Sequence, residues 1–411
     1  MKPNHFVGLD IGTSTVRCVV GMLDQNGDNK PSIIGHGSAP NLGMRKGVVV
    51  HVDDVAEAIV KAVTEAERMS GYHISRATVN VNGSHVGGIN SKGVIAISSA
   101  NREITTEDRY RVEEAATVVQ LPPNREIIQF FAKNYSVDGQ QNIKDPVGMQ
   151  GVRLEVDAHI VTAGTPTLRN LDSALEKAEV QATHHTVSSL AAAEAVMSRQ
   201  QKEAGTVLID IGAGTTNLIV VEDGEVQHVA VLPIGGIHIT NDLAIGLKTD
   251  LDIADKVKLD HASLAKVTKT TANVTVGKQT HSFPMDDVQM IVEARVEELL
   301  EYVDKELQRI RRSRKLPGGA IITGGTAKLP GMAAFVRDKL ELSARIGEIQ
   351  NVGGLVDTVE DSAYASVVGL MLLDMLLLPD SPNAGGGQSA AQKASASAFG
   401  MVEGLMKRFR K

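Results

Sequence analysis

Hydrophobic and polar positions follow two different periods along this chain. From Arg153 to Thr162 apolar residues alternate one by one with polar residues, which predicts a strand with one buried face. In the segment 290–310 apolar residues instead recur every three or four positions, which predicts an amphipathic helix. The predicted helical stripe comprises Val292, Val296, Leu299, Leu300, Val303, Leu307 and Ile310. Strand and helix patterns alternate along the chain and predict an α/β protein.

Two segments share the pattern D-I-G-x-x-T followed by an apolar run and a turn. The first is GLDIGTSTVRCVVGMLDQNG, which starts at Gly8, and the second is VLIDIGAGTTNLIVVEDGEV, which starts at Val207. Each predicts a β-hairpin whose first turn is rich in glycine. An internal duplication of this kind predicts two related half-molecules.

An insertion-like block interrupts the first half at about Ser84–Ala163. Within it we predict a strand, a helix opened by Thr105 with Asp108 three residues later, and the alternating strand described above. In the second half, the segment Ile237–Lys258 predicts a helix with a break near Gly246.

The C-terminal region divides into three parts. The apolar stretch Val367–Leu378 is too short to span a bilayer and contains Asp374, so we predict a buried helix. The segment 380–398 lacks bulky apolar residues and predicts a flexible linker.

The last segment, 399–411, predicts an amphipathic helix that lies on a membrane, with an apolar face and a cluster of cations. The alternative is a helix that docks on its own domain or on a partner. The apolar face comprises Phe399, Val402, Leu405, Met406 and Phe409, and the cations are Lys407, Arg408, Arg410 and Lys411.

Composition excludes several classes of protein. The net charge of -7 and the 3% aromatic content argue against nucleic acid as a partner. The single cysteine, Cys18, rules out an internal disulfide and a cysteine-based zinc site, and it fits a reducing compartment. We therefore expect a cytoplasmic protein.

The D-I-G-x-x-T turns suggest phosphate chemistry. In each, a carboxylate ends a buried strand, and the following glycine lets backbone amides and hydroxyls face one point. Asp10 and Asp210 would face a metal ion through water, since Mg²⁺ loses its water ligands reluctantly. The chain has neither a P-loop nor a G-x-G-x-x-G fingerprint, so this would be a phosphate site of another type.

In order and spacing these turns, together with the segment TGGT at 323–326, resemble the actin-like ATPase superfamily. Within it, the segments IKDPVGMQGVRLEVDAHIVT, GHGSAPNLGMRKGVV and GGIHITNDLA resemble the FtsA family of bacterial cell-division proteins. The resemblance implies a two-lobed actin-like ATPase fold with a duplicated βββαβα core, an inserted 1C subdomain and a C-terminal amphipathic helix. The implied subdomains are 1A at 1–83 and 164–204, 1C at 84–163, 2A at 205–245 and 317–364, 2B at 246–316, a return to 1A at 365–379, the linker at 380–398 and the membrane-targeting helix at 399–411.

The resemblance also implies ATP and Mg²⁺ between the lobes. The implied cofactor-binding residues are Asp10, Gly12, Thr13 and Ser14 in the first turn, Asp210, Gly212, Gly214, Thr215 and Thr216 in the second, Asp255 and Lys256 on a helix that holds the ribose and base, and Gly324 and Gly325 beside the adenosine. Asp10 and Asp210 are the implied neighbours of the metal ion.

One departure from the superfamily concerns hydrolysis. Active relatives place a Gln or Glu near the attacking water, where this chain has Ser188 or Ser189, and Glu194 follows about two turns later. Without a carboxylate that orients water, we expect slow hydrolysis.

The implied partners are the C-terminal peptide of FtsZ, a lipid surface, other copies of the chain and other division proteins, at the cytoplasmic face of the inner membrane at the septum. Arg295 and Glu298 match the positions that contact FtsZ, although a solvated helix face would show the same pattern. Two other functions stay open: an adaptor in pilus assembly that resembles PilM, and a sugar or acyl-phosphate kinase of the same superfamily.

Overall fold

The computed structural model describes residues 5–23, 30–355 and 357–377, so the predicted linker and the C-terminal segment 399–411 lie outside the described residues. The first half begins with β1 (His5–Ile11), β2 (Thr15–Leu23), β3 (Pro31–Pro40), β4 (Met44–Arg45), β5 (Val48–Val49), α1 (Val52–Ser70) and β6 (Arg76–Val81). The inserted block forms β7 (Gly87–Ala96), α2 (Thr106–Thr117), β8 (Arg125–Val137), β9 (Gln140–Ile143) and β10 (Arg153–Gly164). The first half then continues with α3 (Thr165–Lys177), β11 (Gln181–Val187), α4 (Ser188–Val196) and α5 (Arg199–Ala204).

The second half contains β12 (Thr206–Ile211), β13 (Thr216–Glu222), β14 (Glu225–Leu232), α6 (Gly236–Gly246), α7 (Leu251–His261), β15 (Thr271–Val276), β16 (Gln279–Pro284), α8 (Met285–Arg309), β17 (Gly319–Thr323), α9 (Met332–Leu340) and β18 (Ala344–Ile346). The chain then forms β19 (Gly353–Gly354) and α10 (Ala365–Leu376). Short 3-10 turns occupy Gly325–Lys328 and Ser362–Tyr364.

The two halves repeat one sheet topology, which confirms the predicted duplication. The first sheet has the order β11-β6-β1-β2-β3, with β19 added at one edge, and the second has the order β18-β17-β12-β13-β14. In both sheets the central strand pairs antiparallel with the next strand of its hairpin and parallel with its other neighbour. The hairpin registers place Arg17 opposite Asp10 and Asn217 opposite Asp210. The repeated strands therefore bring the two D-I-G-x-x-T turns to equivalent places in the two lobes.

The inserted block is a four-stranded sheet, in the order β7-β10-β8-β9, with α2 packed against it. The expected capping box forms, since the Thr105 side chain accepts from the Asp108 amide and Asp108 accepts from the Thr105 amide. The sequence pattern predicts one buried face for β10, but from His159 onward both faces are buried. The reason is a contact with β14 of the second lobe, where the Val229 amide donates to His159 Nε2 over 3.1 Å.

This His159 contact joins the inserted block to the second lobe. Burial lowers the pKa of His159 to about 3, so the ring is neutral at physiological pH. Because Nε2 accepts from Val229, the ring proton lies on Nδ1, which donates to Asn90 Oδ1 over 2.9 Å. The block is thus inserted in the first half of the chain but contacts both lobes.

Helix α10 confirms the prediction of a buried helix near the end of the described chain. It packs against β1, β2, β6 and α4. The carboxylate of Asp374 accepts hydrogen bonds from the Val7 amide at 3.0 Å and from Thr78 Oγ1 at 2.8 Å and Thr183 Oγ1 at 3.0 Å. Gly8 lies directly beneath this helix, where a side chain would overlap its backbone. These contacts fix α10 in the first lobe.

The remaining elements of the second lobe are the helices α6, α7, α8 and α9 and the β15–β16 hairpin. The break expected near Gly246 is confirmed, since α6 ends there and α7 begins at Leu251. The predicted apolar stripe of α8 faces the core, with Val292, Val303 and Leu307 fully buried. Among the residues that the structure describes, no helix is both long and apolar enough to cross a membrane.

Candidate functional site

A cleft of about 980 Å³ lies between the two lobes. The first lobe contributes the turn after β1, the second lobe contributes the turn after β12, and α6, α7 and the segment 324–330 complete the walls. The predicted residues that line it are Asp10, Gly12, Thr13, Ser14, Asp210, Gly212, Thr215, Asp255, Gly324 and Gly325. The structure therefore brings most of the predicted nucleotide residues to one cleft.

The two glycine-rich turns have the same backbone geometry. In the first, the Gly12 amide donates to the Thr15 carbonyl over 3.1 Å, and in the second the Gly212 amide donates to the Thr215 carbonyl over 2.9 Å. Asn41 braces the first turn, because its Nδ2 donates to the Gly12 carbonyl over 2.8 Å. Each turn is thus closed by its own backbone and faces the cleft in the same way.

The turns also contact each other across the cleft. A Cβ at Gly214 would lie 2.7 Å from Thr13 Oγ1, so a glycine is needed for this close approach. Thr216, in contrast, is fully buried and donates to the Ile234 carbonyl over 2.9 Å. The structure therefore gives Gly214 a role in bringing the lobes together and places the Thr216 side chain away from the cleft.

Asp10 and Asp210 are buried at the base of the cleft, one from each lobe. Asp10 Oδ1 accepts from Asn80 Nδ2 over 2.6 Å, and Asp210 Oδ2 accepts from Asn217 Nδ2 over 3.2 Å. Burial raises the pKa of Asp10 to about 7, with a further contribution from the charge of Asp210, while Arg17 opposes the shift. Burial also raises the pKa of Asp210. The cleft thus contains two carboxyl groups whose charge lacks full compensation by the protein.

This arrangement fits a hydrated divalent cation with a polyphosphate. A cation would favour the charged form of both carboxylates, which burial disfavours. Within the described ranges, no group of three or more His, Cys, Asp or Glu side chains is placed to hold a metal ion. Two carboxylates with water and phosphate oxygens as the other ligands match the preference of Mg²⁺. Arg17 also lines the cleft, and its guanidinium group has a geometry that suits phosphate oxygens.

Helix α7 places Asp255 and Lys258 in the cleft rather than Asp255 and Lys256. Asp255 accepts hydrogen bonds from Thr240 and Lys258, and Lys258 Nζ donates to Thr240 Oγ1 over 2.7 Å. Lys256 instead pairs with Asp260 at 3.0 Å and does not line the cleft. The helical period explains the difference, since residues three apart share a face and adjacent residues do not.

Gly324 is held close to the second carboxylate. It has a φ of +89°, and a Cβ there would lie 2.7 Å from Asp210 Oδ1. Gly325 faces open space, since a Cβ there would meet nothing within 4 Å. The cleft is also lined by apolar side chains, which lie among charged residues of the same segments such as Asp252, Lys258 and Lys328. The apolar residues are Leu251, Leu259, Ala262, Leu329 and Pro330. The cleft thus combines charged and apolar groups, as nucleotide binding requires.

The start of α4 carries the serines expected there. Ser188 lines the cleft, and its Oγ accepts from Asn80 Nδ2 over 3.1 Å. The first turn of α4 has no acidic residue among the described residues there. Glu194 is buried and pairs with Lys202 at 2.7 Å. Glu194 is therefore paired with Lys202 and does not line the cleft.

A second surface lies between α6 and α8. We call it the α6–α8 groove; it has a volume of about 310 Å³ and is lined by Asp242, Ile245, Gly246, Ile291, Ala294, Arg295 and Glu298. Arg295 pairs with both Asp242 and Glu298. The structure thus brings the two predicted partner-binding residues together at the edge of an apolar depression.

Sequence reasoning missed several residues of the cleft. Asn80, the penultimate residue of β6, links Asp10 to Ser188. Thr323 and Ser366 donate to Asp210 at 3.4 and 3.3 Å. Arg17 and Asn217 each follow a carboxylate by seven residues, so the offset within the repeat marks them both. Asn80 and Ser366 carry no such signal because they come from distant segments.

Comparison with family models and curated relatives gives consistent matches. A model described as the SHS2 domain inserted in FtsA matches residues 83–162, and one described as cell division protein FtsA matches residues 207–369. Cell division protein FtsA of Bacillus subtilis (strain 168) is 39% identical over 373 residues, covering 89% of this chain and 82% of that protein. The FtsA of Pseudomonas aeruginosa PAO1 is 33% identical over 371 residues, and that of Escherichia coli K12 is 30% identical over 377 residues. These alignments cover 89% of this chain in both cases, and 88% and 89% of the two relatives.

Solved structures of low identity share the fold. The PilM–PilN type IV pilus biogenesis complex matches with a TM-score of 0.63 at 18% identity, covering 90% of this chain and 98% of that chain. MreB5 of Spiroplasma citri bound to ADP matches with a TM-score of 0.54 at 14% identity, covering 91% of this chain and 97% of that chain. These likenesses support the two-lobed actin-like architecture.

Proposed function

Because the chain belongs to the FtsA family of bacterial cell-division proteins, we propose that it binds ATP with Mg²⁺ and links FtsZ filaments to the cytoplasmic membrane at the septum. The observation that carries the nucleotide part is the pair of matched turns, each with a buried carboxylate, that face each other across one cleft. The structural likeness to an MreB bound to ADP supports the same ligand class.

The residues of the cleft have distinct tasks in this proposal. The amides and hydroxyls of the two turns hold the phosphates, and Arg17 balances their charge. Asp10 and Asp210 hold the hydrated Mg²⁺, which neutralises the phosphates when it is bound. Asp255 and Lys258 hold the ribose, and Gly324 and Gly325 let the adenine lie close to the backbone. Since ligand groups touch both lobes, the nucleotide would act as a clamp between them.

The clamp would be a slow ATPase. Hydrolysis needs a group that orients the attacking water. The serines at the start of α4 cannot act as a strong base, and Glu194 is occupied by Lys202. The nucleotide would then serve mainly to set the conformation of the lobes and to favour self-association into filaments.

The α6–α8 groove is the proposed site for the C-terminal peptide of FtsZ. It combines exposed aliphatic side chains with the paired charges of Arg295 and Glu298, a pattern that suits a short amphipathic peptide. The segment 399–411 would hold the chain to the lipid surface, with its apolar face inserted and its cations near the headgroups. Filament formation would multiply this weak attachment by avidity.

The family membership favours this function over the two alternatives. The likeness to PilM extends to the fold, but the curated relatives are division proteins. The same relatives argue against a sugar or acyl-phosphate kinase. Docking of other division proteins, the expected absence of nucleic acid as a partner and the subdomain limits given above stay predictions.

Calorimetric titration with Mg-ATP tests the nucleotide part. We expect Lys258→Ala to weaken binding about tenfold, or about 1.4 kcal/mol, because it removes a cation from the cleft. The matched control is Lys256→Ala on the same helix, which should leave the affinity unchanged because Lys256 lies outside the cleft. We also expect phosphate release far below about 10 per second, the typical enzyme value. Equal affinities for both variants, or turnover near that value, would contradict the proposal.

A further inference from the structure

Apolar side chains at and beside the α6–α8 groove are exposed to water, which is energetically unfavourable. Ile245 is 76% exposed, and Met290, one turn before Ala294 on α8, is 63% exposed. Ile291 packs over Gly246 in the groove and is partly buried. Exposed aliphatic side chains beside such a groove are typical of a binding surface.

The surroundings of the groove are acidic. Asp286, Asp287 and Glu301 are exposed on α8, and Asp242 and Glu298 lie in the groove itself. Of the nearby cations, Arg295 contacts Asp242 and Glu298, Lys339 contacts Glu297, and Lys248 is exposed just after the groove residue Gly246. These acidic side chains outnumber the three cations. The groove therefore favours an occupant that is apolar on one face and positively charged on the other.

The C-terminal segment 399–411 has this chemistry. It combines Phe399, Leu405 and Phe409 with the cations at 407, 408, 410 and 411, against the single acidic side chain of Glu403. Away from a membrane its apolar face would contact water, at a cost that docking on protein removes. The intervening segment 378–398 spans about 70 Å when extended and about 25 Å as a random coil, so it reaches across a domain of this size.

We propose that, without a membrane, residues 399–411 dock in the α6–α8 groove of the same chain and mask it. Lipid and groove would then compete for one segment, so that attachment to the membrane opens the groove. The tethering role of the segment and the partner role of the groove rest on the proposed function; the intramolecular contact itself does not. A short linker gives an effective concentration near 1 mM. An intrinsic dissociation constant near 0.1 mM for the docked segment would then lower the apparent affinity of the groove for another ligand about tenfold.

A fluorescent label at the groove tests the contact directly. Met290→Cys provides an exposed attachment point for an environment-sensitive dye, while the native Cys18 is fully buried. We expect the dye to emit at shorter wavelength in the full chain than in a truncation that ends at Ala398. The difference should be independent of protein concentration, because the contact is intramolecular. Identical emission from the two chains, or a difference that disappears on dilution, would overturn the proposal.

A charge change in the groove provides the matched control. Ile245→Lys places a cation against the basic segment and should abolish the difference, whereas Val118→Lys, on the 83% exposed Val118 of the inserted block, should preserve it. A difference that survives Ile245→Lys would place the segment elsewhere and overturn the proposal.

Vesicles of phosphatidylglycerol separate this proposal from the proposed function. We expect them to shift the emission of the full chain to that of the truncated chain. If the truncation difference is present and the vesicles leave it unchanged, the docking is supported and the membrane role of the segment fails. If the full chain binds the vesicles but the two chains have identical emission in solution, the docking fails and the membrane role stands.

Discussion

Two adjacent glycines at the end of β17 differ sharply in what they allow. Gly324 has a left-handed backbone conformation and lies close to Asp210, whereas Gly325 faces open space. A methyl group at Gly324 would push against the second carboxylate and the Ile211 carbonyl. The structure thus shows that Gly325 has room for a side chain and Gly324 does not, although the two glycines look equivalent in the sequence.

We predict that Gly324→Ala weakens Mg-ATP binding at least tenfold, because the strand end must move to accept the side chain. Gly325→Ala, which meets nothing within 4 Å, should stay within about twofold of the unchanged chain. Titration calorimetry measures both. Equal losses for the two variants would show that the close approach at Gly324 has no role.

The raised pKa of Asp10 predicts a dependence of stability on pH. An unfolded Asp titrates near 3.8 and Asp10 in the fold near 7, so the folded state binds more protons between these values. The charged form of Asp10 therefore costs stability, and the cost grows as the pH rises from about 4 to about 7.

Asp10→Asn should remove this cost in the protein without nucleotide or metal. We expect it to raise the free energy of unfolding at pH 8, by at most about 4 kcal/mol, and to change it little at pH 4. The same variant should weaken Mg-ATP binding, because it loses a negative charge at the cation. Urea titrations at the two pH values test the first part, and an equal effect at both would refute the assigned pKa.

Only some of the residues that line the cleft can be predicted from the sequence. Asp10 and Asp210 stand out because a duplicated acid at a strand end has no packing explanation. The motif match placed Lys256 in the site, but the helix period turns Lys258 toward the cleft and Lys256 toward Asp260. Asn80 was not predictable, since its importance arises from the distant Asp10 and Ser188.

Helix α10 is joined to the first lobe through a single buried carboxylate. Asp374 accepts three hydrogen bonds that join the helix to β1, β6 and β11. The apolar run around it predicted a buried helix, but the sequence does not reveal which donors would satisfy the carboxylate. This helix is also the last described element before the proposed membrane tether, so it would carry any force from the membrane into the first lobe.

We predict that Asp374→Ala lowers the free energy of unfolding by at least about 3 kcal/mol, since it leaves buried donors without an acceptor. Asp374→Asn keeps one acceptor oxygen and should cost less. Asp338→Ala on α9 is the control, because that side chain is exposed and pairs with its neighbour Arg337. Denaturation by urea reports all three, and a cost for Asp374→Ala as small as that for Asp338→Ala would contradict the anchoring role.

For the whole molecule, the repeat predicted the architecture better than any single motif did. Two copies of one hairpin implied two lobes with one topology, and the sheets have this topology. The contact of the inserted block with β14 could not be predicted from the sequence. The alternation of apolar and polar residues along β10 indicates which face is buried within its own domain, but it does not indicate packing against a second lobe. Long-range packing of this kind makes the block a bridge between the lobes.

In the proposed function, this chain connects FtsZ to lipid through two separate surfaces. The groove at Arg295 belongs to the second lobe, and the segment 399–411 follows the helix that is fixed in the first lobe. An adaptor of this design requires both surfaces in one chain, so damage to either one should break the link without loss of the other contact.

Flotation of FtsZ filaments with phosphatidylglycerol vesicles in Mg-ATP tests the proposed link between FtsZ and lipid. We predict that FtsZ floats with the full chain and not with the truncation that ends at Ala398. Arg295→Ala should reduce the floated FtsZ while the chain itself still floats, and Arg309→Ala, exposed at the end of the same helix, should have no effect. FtsZ that floats equally with the truncated chain, or that stays behind while the full chain floats, would show that the proposed link does not exist.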